Sequence, residues 1–212
     1  MQRLPLSRLY AIVDVDRCER GGWTPRDVAR AFLAGGARLL QLRAKTIASG
    51  AFYDLALGLV EDAARAGGMV IVNDRADLAV LAQAAGVHVG QDDLSPADAR
   101  RVVGPTAVVG CSTHTVPQID AALREPVSYL AIGPVFSTST KDTGYQAVGL
   151  EAVADAGRRG LTAGLPVVAI GGITLETAPA VIAAGAASVA VIGDLLSEDP
   201  ERRVRRYLAA LA

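Results

Sequence analysis

The sequence predicts an α/β protein, a single-domain (β/α)8 barrel over residues 1–212. Three observations carry that expectation. Eight short apolar runs alternate strictly with eight segments of helical spacing, the signature of parallel strands joined by crossover helices. The connections are short, so 212 residues accommodate eight such units around one core. The glycine-x-glycine dinucleotide fingerprint and the GxxxxGK[ST] phosphate loop, the commonest reasons to expect an open sheet instead, are both missing.

In chain order, residues 9–13 form the first apolar run, which ends at Asp14 and is followed by a polar, glycine-containing loop. Thr24 as N-cap and Pro25 at the first helical position start a helix that Gly35 and Gly36 stop. Residues 39–42 make the second strand, and alternation points Gln41, Arg43 and Lys45 to one side. Helical spacing over 52–66 ends at Gly67-Gly68. Two further strands, 69–72 and 86–89, flank a helix, and each ends in acid or amide residues, Asn73-Asp74 and Gln91-Asp92-Asp93. Ser95 and Pro96 cap the next helix, to Val103. The fifth strand, 107–111, runs into Ser112, Thr113, His114 and Thr115, and 116–123 is helical. The sixth, 129–132, leads through Gly133-Pro134 to the polar loop 137–144, the longest connection. A helix over 150–158 precedes the seventh strand, 166–170, which breaks at Gly171-Gly172. Thr174 begins another helix, followed by Gly185 and the eighth strand, 189–192. After Gly193-Asp194, Val204, Tyr207, Leu208 and Leu211 mark one face of a final amphipathic helix.

Composition narrows the function. A formal net charge of -1 and a pI near 6.1 leave no basic patch for nucleic acid or an anionic membrane. Cys18 and Cys111 are the only cysteines, too few for a disulfide framework. The N-terminus lacks a secretory h-region and no apolar run reaches membrane-spanning length, so a cytoplasmic protein is expected.

In such a barrel the working face lies at the C-terminal ends of the strands. Parallel pairing of the third and fourth strands would set Asp74 opposite Asp92 or Asp93. Two carboxylates about 4 Å apart repel by about 4 kcal/mol at an effective dielectric near 20, and Mg2+ completed by water and substrate phosphates relieves that. The competing role for Asp74 is a helix cap. Glycines after the last two strands, Gly171, Gly172 and Gly193, suit a phosphate monoester. Arg43, Lys45 and Lys141, beside a cation on the carboxylates, suit a diphosphate. Two small phosphorylated substrates are implied. His88, inside an apolar run, reads as a hydrogen-bonded interior histidine and Cys111 as packing, whereas His114 reads equally as a proton shuttle or an exposed loop residue.

QLRAK (41–45), VNDRADLA (72–79), GVHVGQDDL (86–94), VGCSTHT (109–115), AIGPVFSTSTK (131–141), VGLEAV (148–153), PVVAIGGI (166–173) and AAGAASVAVIGDLL (183–196) occur in an order that extends along nearly the whole chain. In this the sequence resembles the thiamine phosphate synthase family. The resemblance implies a (β/α)8 barrel that condenses 4-amino-5-hydroxymethyl-2-methylpyrimidine diphosphate with a carboxylated thiazole phosphate, or the uncarboxylated one. Diphosphate and CO2 leave, and thiamine monophosphate forms by a dissociative, Mg2+-assisted route. It further implies Asp74 and Asp93 as Mg2+ ligands, since in the family's G-Q-x-D pattern the second aspartate is the ligand. Gln41, Arg43, Lys45, Asn73, Ser112 and Lys141 then correspond to pyrimidine diphosphate contacts, with Lys141, Ser112 and Arg43 catalytic. Thr138, Thr140, Gly172, Ile192 and Gly193 correspond to thiazole phosphate contacts. A homodimer is implied by resemblance only. Two positions depart from the family pattern: Ser137 stands where proline is frequent, and Gly193 where serine is. Two alternatives accompany this reading. A thiazole tautomerase on the same barrel would carry histidine where this chain has Pro134, and a noncatalytic phosphate-binding barrel would not need Asp74, Asp93, Arg43 and Lys141 together.

Overall fold

The computed structural model describes residues 6–138, 144–196 and 199–212. Its eight strands are β1 (Leu9–Asp14), β2 (Leu39–Arg43), β3 (Met69–Asn73), β4 (Gly86–Val89), β5 (Val108–Thr113), β6 (Tyr129–Ile132), β7 (Val167–Ile170) and β8 (Ser188–Val191). Each pairs in parallel with the next, and β8 closes on β1 through Leu9↔Val189, Tyr10↔Ala190 and Ala11↔Val191. The expected (β/α)8, or TIM, barrel is the observed one.

Period-two alternation sorts the strand residues between an inner and an outer layer, both largely apolar. Tyr10, Ile12, Leu39, Ile71, Val108, Tyr129, Ala131, Val168, Ala190 and Ile192 fill the barrel interior. Their neighbours in sequence, such as Leu9, Val13, Leu40, Leu42, Val72, Val87, Val109, Leu130, Val167 and Val189, face the helices. A slip of one residue in any strand would exchange the two sets, which is what fixes the register. Full burial of each Val, Leu or Ile side chain among them contributes about 1.5–3 kcal/mol.

Around the barrel run α1 (Val15–Arg20), α2 (Pro25–Ala34), α3 (Ser49–Arg65), α4 (Ala76–Leu81), α5 (Pro96–Val103), α6 (Val116–Ala122), α7 (Gly149–Ala163), α8 (Ala178–Ala183) and α9 (Pro200–Ala210). Thr24 and Ser95 cap α2 and α5 by accepting from Asp27 N and Asp98 N, with proline following each cap, as their sequences predict. No helix among the described residues is long and apolar enough to cross a membrane.

Three local expectations are corrected. The stretch after β1 is not simply a loop, because Asp14 caps α1 by accepting from Arg17 N at 3.0 Å; one and a half turns are too short to register as periodicity. The helix expected from Thr174 begins at Ala178, since Thr177 Oγ1 turns back to accept from Thr174 N at 2.9 Å. Residues 193–195 after β8 wind into a short 3-10 turn. The described residues therefore carry nine α-helices rather than the expected eight.

Candidate active site

A cavity of about 460 Å³ opens where the strands end at their C-termini. Its floor is the upper part of the barrel interior, including Tyr10, Ile12, Val168 and Ala190. Above that floor the inward positions turn polar: Gln41 on β2, Asn73 on β3, His88 on β4 and Ser112 on β5 are all buried and line the cavity. The strand interior thus changes from aliphatic to hydrogen-bonding within one or two residues of each strand end.

These buried polar groups are bonded to one another. Gln41 Nε2 donates to Tyr10 Oη at 3.0 Å, and Tyr10 and Tyr129 share a hydroxyl contact at 3.1 Å. His88 uses both ring nitrogens, Nδ1 with Tyr129 Oη and Nε2 with Ser112 Oγ, each at 2.8 Å. His88 is therefore the hydrogen-bonded interior histidine that its apolar surroundings predict. Burial holds the Tyr10 and Tyr129 phenols well above their ordinary range.

The side formed by β1 to β4 is charged. Arg43 pairs through Nη1 with the buried Asp14 carboxylate, and its Nε, also buried, has no hydrogen-bond partner among the described residues. Lys45, beyond the strand end, does not join Gln41 and Arg43 against the cavity wall; its Nζ pairs with Asp74. Asp74 adopts φ 64°, a left-handed conformation that aspartate tolerates better than most residues, while its N–H is held by His88 O at 2.8 Å. It does not cap α4, whose N-cap is Arg75 without a side-chain bond. Asp74 therefore has no helix-cap role.

Asp93, not Asp92, is the partner of Asp74. Burial first, and then the adjoining Asp93 carboxylate, push the Asp74 carboxyl above its usual range, with Lys45 opposing. Asp93 Oδ2 also accepts from Gly90 N at 2.7 Å, which fixes it at the turn after β4. No cluster of three or more His, Cys, Asp or Glu side chains able to hold a metal occurs among the described residues. A pair of carboxylates drawing a lysine between β2 and β3 is a different donor set, and it fits a hard divalent ion that keeps water and phosphate ligands.

Among the described residues, the side formed by β6 to β8 brings one charged side chain, Asp194, to the cavity lining. Gly171 and Gly172 have φ of 100° and 64°. A Cβ on Gly172 would lie 2.6 Å from Ser137 O and 2.8 Å from Phe136 Cβ, so glycine is required both by conformation and by the approach of the loop after β6. Gly172 N–H and Gly193 N–H have no hydrogen-bond acceptor among the described residues, and both residues line the cavity with Ile192 and Thr138. Asp194 anchors this edge by accepting from Leu175 N at 3.0 Å, Arg203 Nη2 at 2.8 Å and Tyr207 Oη. Thr140 and Lys141 lie outside the described residues.

His114 is not simply an exposed loop residue. It lines the cavity, bonds Gly133 O through Nδ1 and stacks on Tyr145 with ring centroids 4.0 Å apart. Cys111 is buried with its thiol pushed up to about 11 by desolvation, consistent with packing alone. Asp14, Arg17, Tyr10 and Tyr129 reach the site without having been singled out in the sequence. Asp14 carried the same signal as Asp74, an acid ending an apolar run. The tyrosines carried a weaker one, a hydroxyl at an inward strand position.

The family described as thiamine monophosphate synthase matches residues 9–195 by its sequence profile. The chain belongs to the thiamine monophosphate synthase family. It is 47% identical over 211 residues to a thiamine-phosphate synthase of Koribacter versatilis, covering 98% of this chain and 97% of that protein. With the corresponding protein of Anaeromyxobacter dehalogenans it shares 43% over 210 residues, covering 99% and 90%. The solved thiamine phosphate pyrophosphorylase from Pyrococcus furiosus superposes with a TM-score of 0.87 at 26% identity, covering 100% of this chain and 98% of that one. As a thiamine monophosphate synthase family member the chain is a transferase of thiamine biosynthesis, and the two unlike sides of its cavity are to be read against that chemistry.

Proposed function

We propose that this cavity joins 4-amino-5-hydroxymethyl-2-methylpyrimidine diphosphate to carboxythiazole phosphate, or to thiazole phosphate, giving thiamine monophosphate, diphosphate and, from the carboxylated substrate, CO2. The observation that carries the reading is the asymmetry of the mouth: ion-paired side chains along β1 to β4 and glycine backbone along β7 and β8. The charged side takes the diphosphate, with Arg43, Lys45 and Asn73 around it and Lys141 supplied by the loop after β6. Gln41 and Ser112 hold the pyrimidine above the barrel floor. The glycine side, with Gly172, Ile192 and Gly193 and with Thr138 and Thr140, takes the thiazole phosphate.

Asp74 and Asp93 would hold Mg2+, which when bound supplies positive charge to the departing diphosphate. The chain's own groups do the rest. The C–O bond to the pyrimidine methylene breaks with both electrons leaving on diphosphate. Arg43 and Lys141 stabilise that charge. No protein nucleophile is required, because the electron-rich aminopyrimidine stabilises the cation. The glycine edge positions the thiazole so that its nitrogen lone pair forms the new C–N bond before water does. Loss of CO2 leaves its electron pair on the thiazole ring, which takes up a proton. Asp14 holds Arg43 in place and is given no role in the bond changes.

The same reading takes the enzyme to be a single-domain, cytoplasmic homodimer, with no nucleic-acid or membrane partner. The test is formation of thiamine monophosphate and diphosphate from the two purified substrates, with Mg2+ and with excess EDTA, for the native chain and for Asp74→Ala. Product that requires metal and disappears in the variant is the expected result. Isomerised thiazole phosphate without coupling would replace this reading with a tautomerase; no conversion at all would leave a binding protein.

A further inference from the structure

We propose that Tyr10, Tyr129 and His88 are positioning residues that set the hydrogen-bonding sense of Gln41 and Ser112, so that the cavity offers one fixed acceptor and one fixed donor to an aminopyrimidine. The ligand half of this inference rests on the function proposed above; the relay itself does not.

The five residues form one continuous chain across the barrel, Gln41 to Tyr10 at 3.0 Å, Tyr10 to Tyr129 at 3.1 Å, Tyr129 to His88 at 2.8 Å and His88 to Ser112 at 2.8 Å. They come from β2, β1, β6, β4 and β5, and all five are buried. The two tyrosine hydroxyls and the neutral imidazole each have one hydrogen to give, so with Gln41 as the donor at one end a single direction of donation satisfies every link. Gln41 Nε2 donates to Tyr10, which directs the Tyr10 hydrogen to Tyr129 and the Tyr129 hydrogen to His88 Nδ1. His88 then carries its proton on Nε2 and donates to Ser112 Oγ. What remains for the cavity is Gln41 Oε1, an acceptor with the second Nε2 hydrogen beside it, and the Ser112 hydroxyl hydrogen, a donor.

The packing is arranged around this chain. Gly110 lies on β5 where any Cβ would come within 2.1 Å of Tyr129 Cζ and 2.5 Å of His88 Nδ1, so only glycine leaves room for the central link. The Tyr129 ring stacks on His88 with centroids 5.5 Å apart and meets Tyr10 edge-on at 6.1 Å. Burial keeps both phenols protonated, so the relay conveys orientation without carrying charge. A buried polar chain of this length is less stabilising than aliphatic packing unless every member is satisfied, and here each member bonds the next.

An aminopyrimidine completes both ends: its amino group donates to Gln41 Oε1, and a ring nitrogen accepts from Ser112. A 4-oxo analogue would present an acceptor to Gln41 Oε1 and could be matched only by reversing all four links, including the His88 tautomer. The relay therefore selects amino over oxo pyrimidine.

Two measurements test this. Ring-nitrogen NMR of histidine-labelled protein, with only His88 and His114 to assign, should find His88 protonated on Nε2 and bare on Nδ1. In Tyr129→Phe that single tautomer should become a mixture. The preference for 4-amino over 4-oxo pyrimidine diphosphate, as a ratio of kcat/KM, should fall by about tenfold or more, with the KM for thiazole phosphate unmoved. Tyr10→Phe, which cuts the chain one link earlier, should lose the same preference and serves if Tyr129→Phe does not fold. A native His88 protonated on Nδ1, or an unchanged preference in a folded variant, overturns the proposal. If the native chain makes no thiamine monophosphate, the ligand half falls with the function, while the spectra still decide the relay.

Discussion

The two sides of the cavity mouth solve anion binding by different means. Along β1 to β4 the groups are charged side chains that neutralise one another, Arg43 with Asp14 and Lys45 with Asp74. Along β7 and β8 they are backbone N–H groups presented by glycines, backed by the Asp194, Arg203 and Tyr207 cluster. The first side has its charges already spent on internal partners and must exchange them when a diphosphate or a cation arrives. The second is preorganised and gives up nothing. Substitutions on the charged side should therefore act on catalysis with little effect on folding, and those on the glycine side on both.

Asp74→Ala gives the largest expected effect on the charged side. Activity should fall by about 100-fold or more, the scale for removing one preorganised electrostatic stabiliser. Without metal, stability should not fall, because the change relieves the repulsion between Asp74 and Asp93. A clear drop in the metal-free melting temperature would show that Asp74 is structural and break the contrast. Gly172→Ala is the matching change on the glycine side. Its Cβ meets Ser137 O at 2.6 Å and its φ of 64° disfavours a side chain. The expected cost is about 1–3 kcal/mol of stability, read as a lower urea midpoint, together with a raised KM for thiazole phosphate and an unaltered KM for the pyrimidine diphosphate. Equal changes in both KM values would mean the two sides are not separate subsites.

The contrast also marks what the sequence made legible. The strands were readable because burial on both faces leaves continuous apolar runs, and Asp74, Asp93, Arg43 and Gly172 were readable because strand ends converge on one face of such a barrel. Choosing Asp93 over Asp92 needed the family pattern; the structure then placed Asp93 beside Asp74 through a turn, Gly90 N to Asp93 Oδ2, that spacing alone does not specify. Asp14 is illegible in the sequence because, besides capping the adjacent α1, it holds Arg43, 29 residues away. Tyr10 and Tyr129 were hidden for a related reason. Within a strand they look like core aromatics, and only the closed register brings their hydroxyls together 119 residues apart.

Asp62 on α3 sharpens the comparison from outside the mouth and carries the smallest expected effect. It is a buried carboxylate where Asp74 is half-buried, and Arg26 Nε at 2.8 Å, Arg30 Nε at 2.9 Å and Arg65 Nη1 at 3.0 Å all donate to it. The Arg26 guanidinium first, then Arg30, hold its carboxyl below the usual range, against burial. The linkage is therefore opposite to that of Asp74. A carboxyl whose pKa is lowered by folding contributes stability above its unfolded value, about 3.9, and loses it as pH falls through the lower folded value. Asp62→Asn should cost about 1–2 kcal/mol at pH 7, since the three arginines are exposed enough to rehydrate. Urea unfolding of the two proteins should converge as pH drops below about 4, with thiamine monophosphate synthesis at pH 7 unchanged. A difference that persists undiminished in acid would mean Asp62 acts through packing, and that the ion cluster linking α2 to α3 adds no charge-dependent stability.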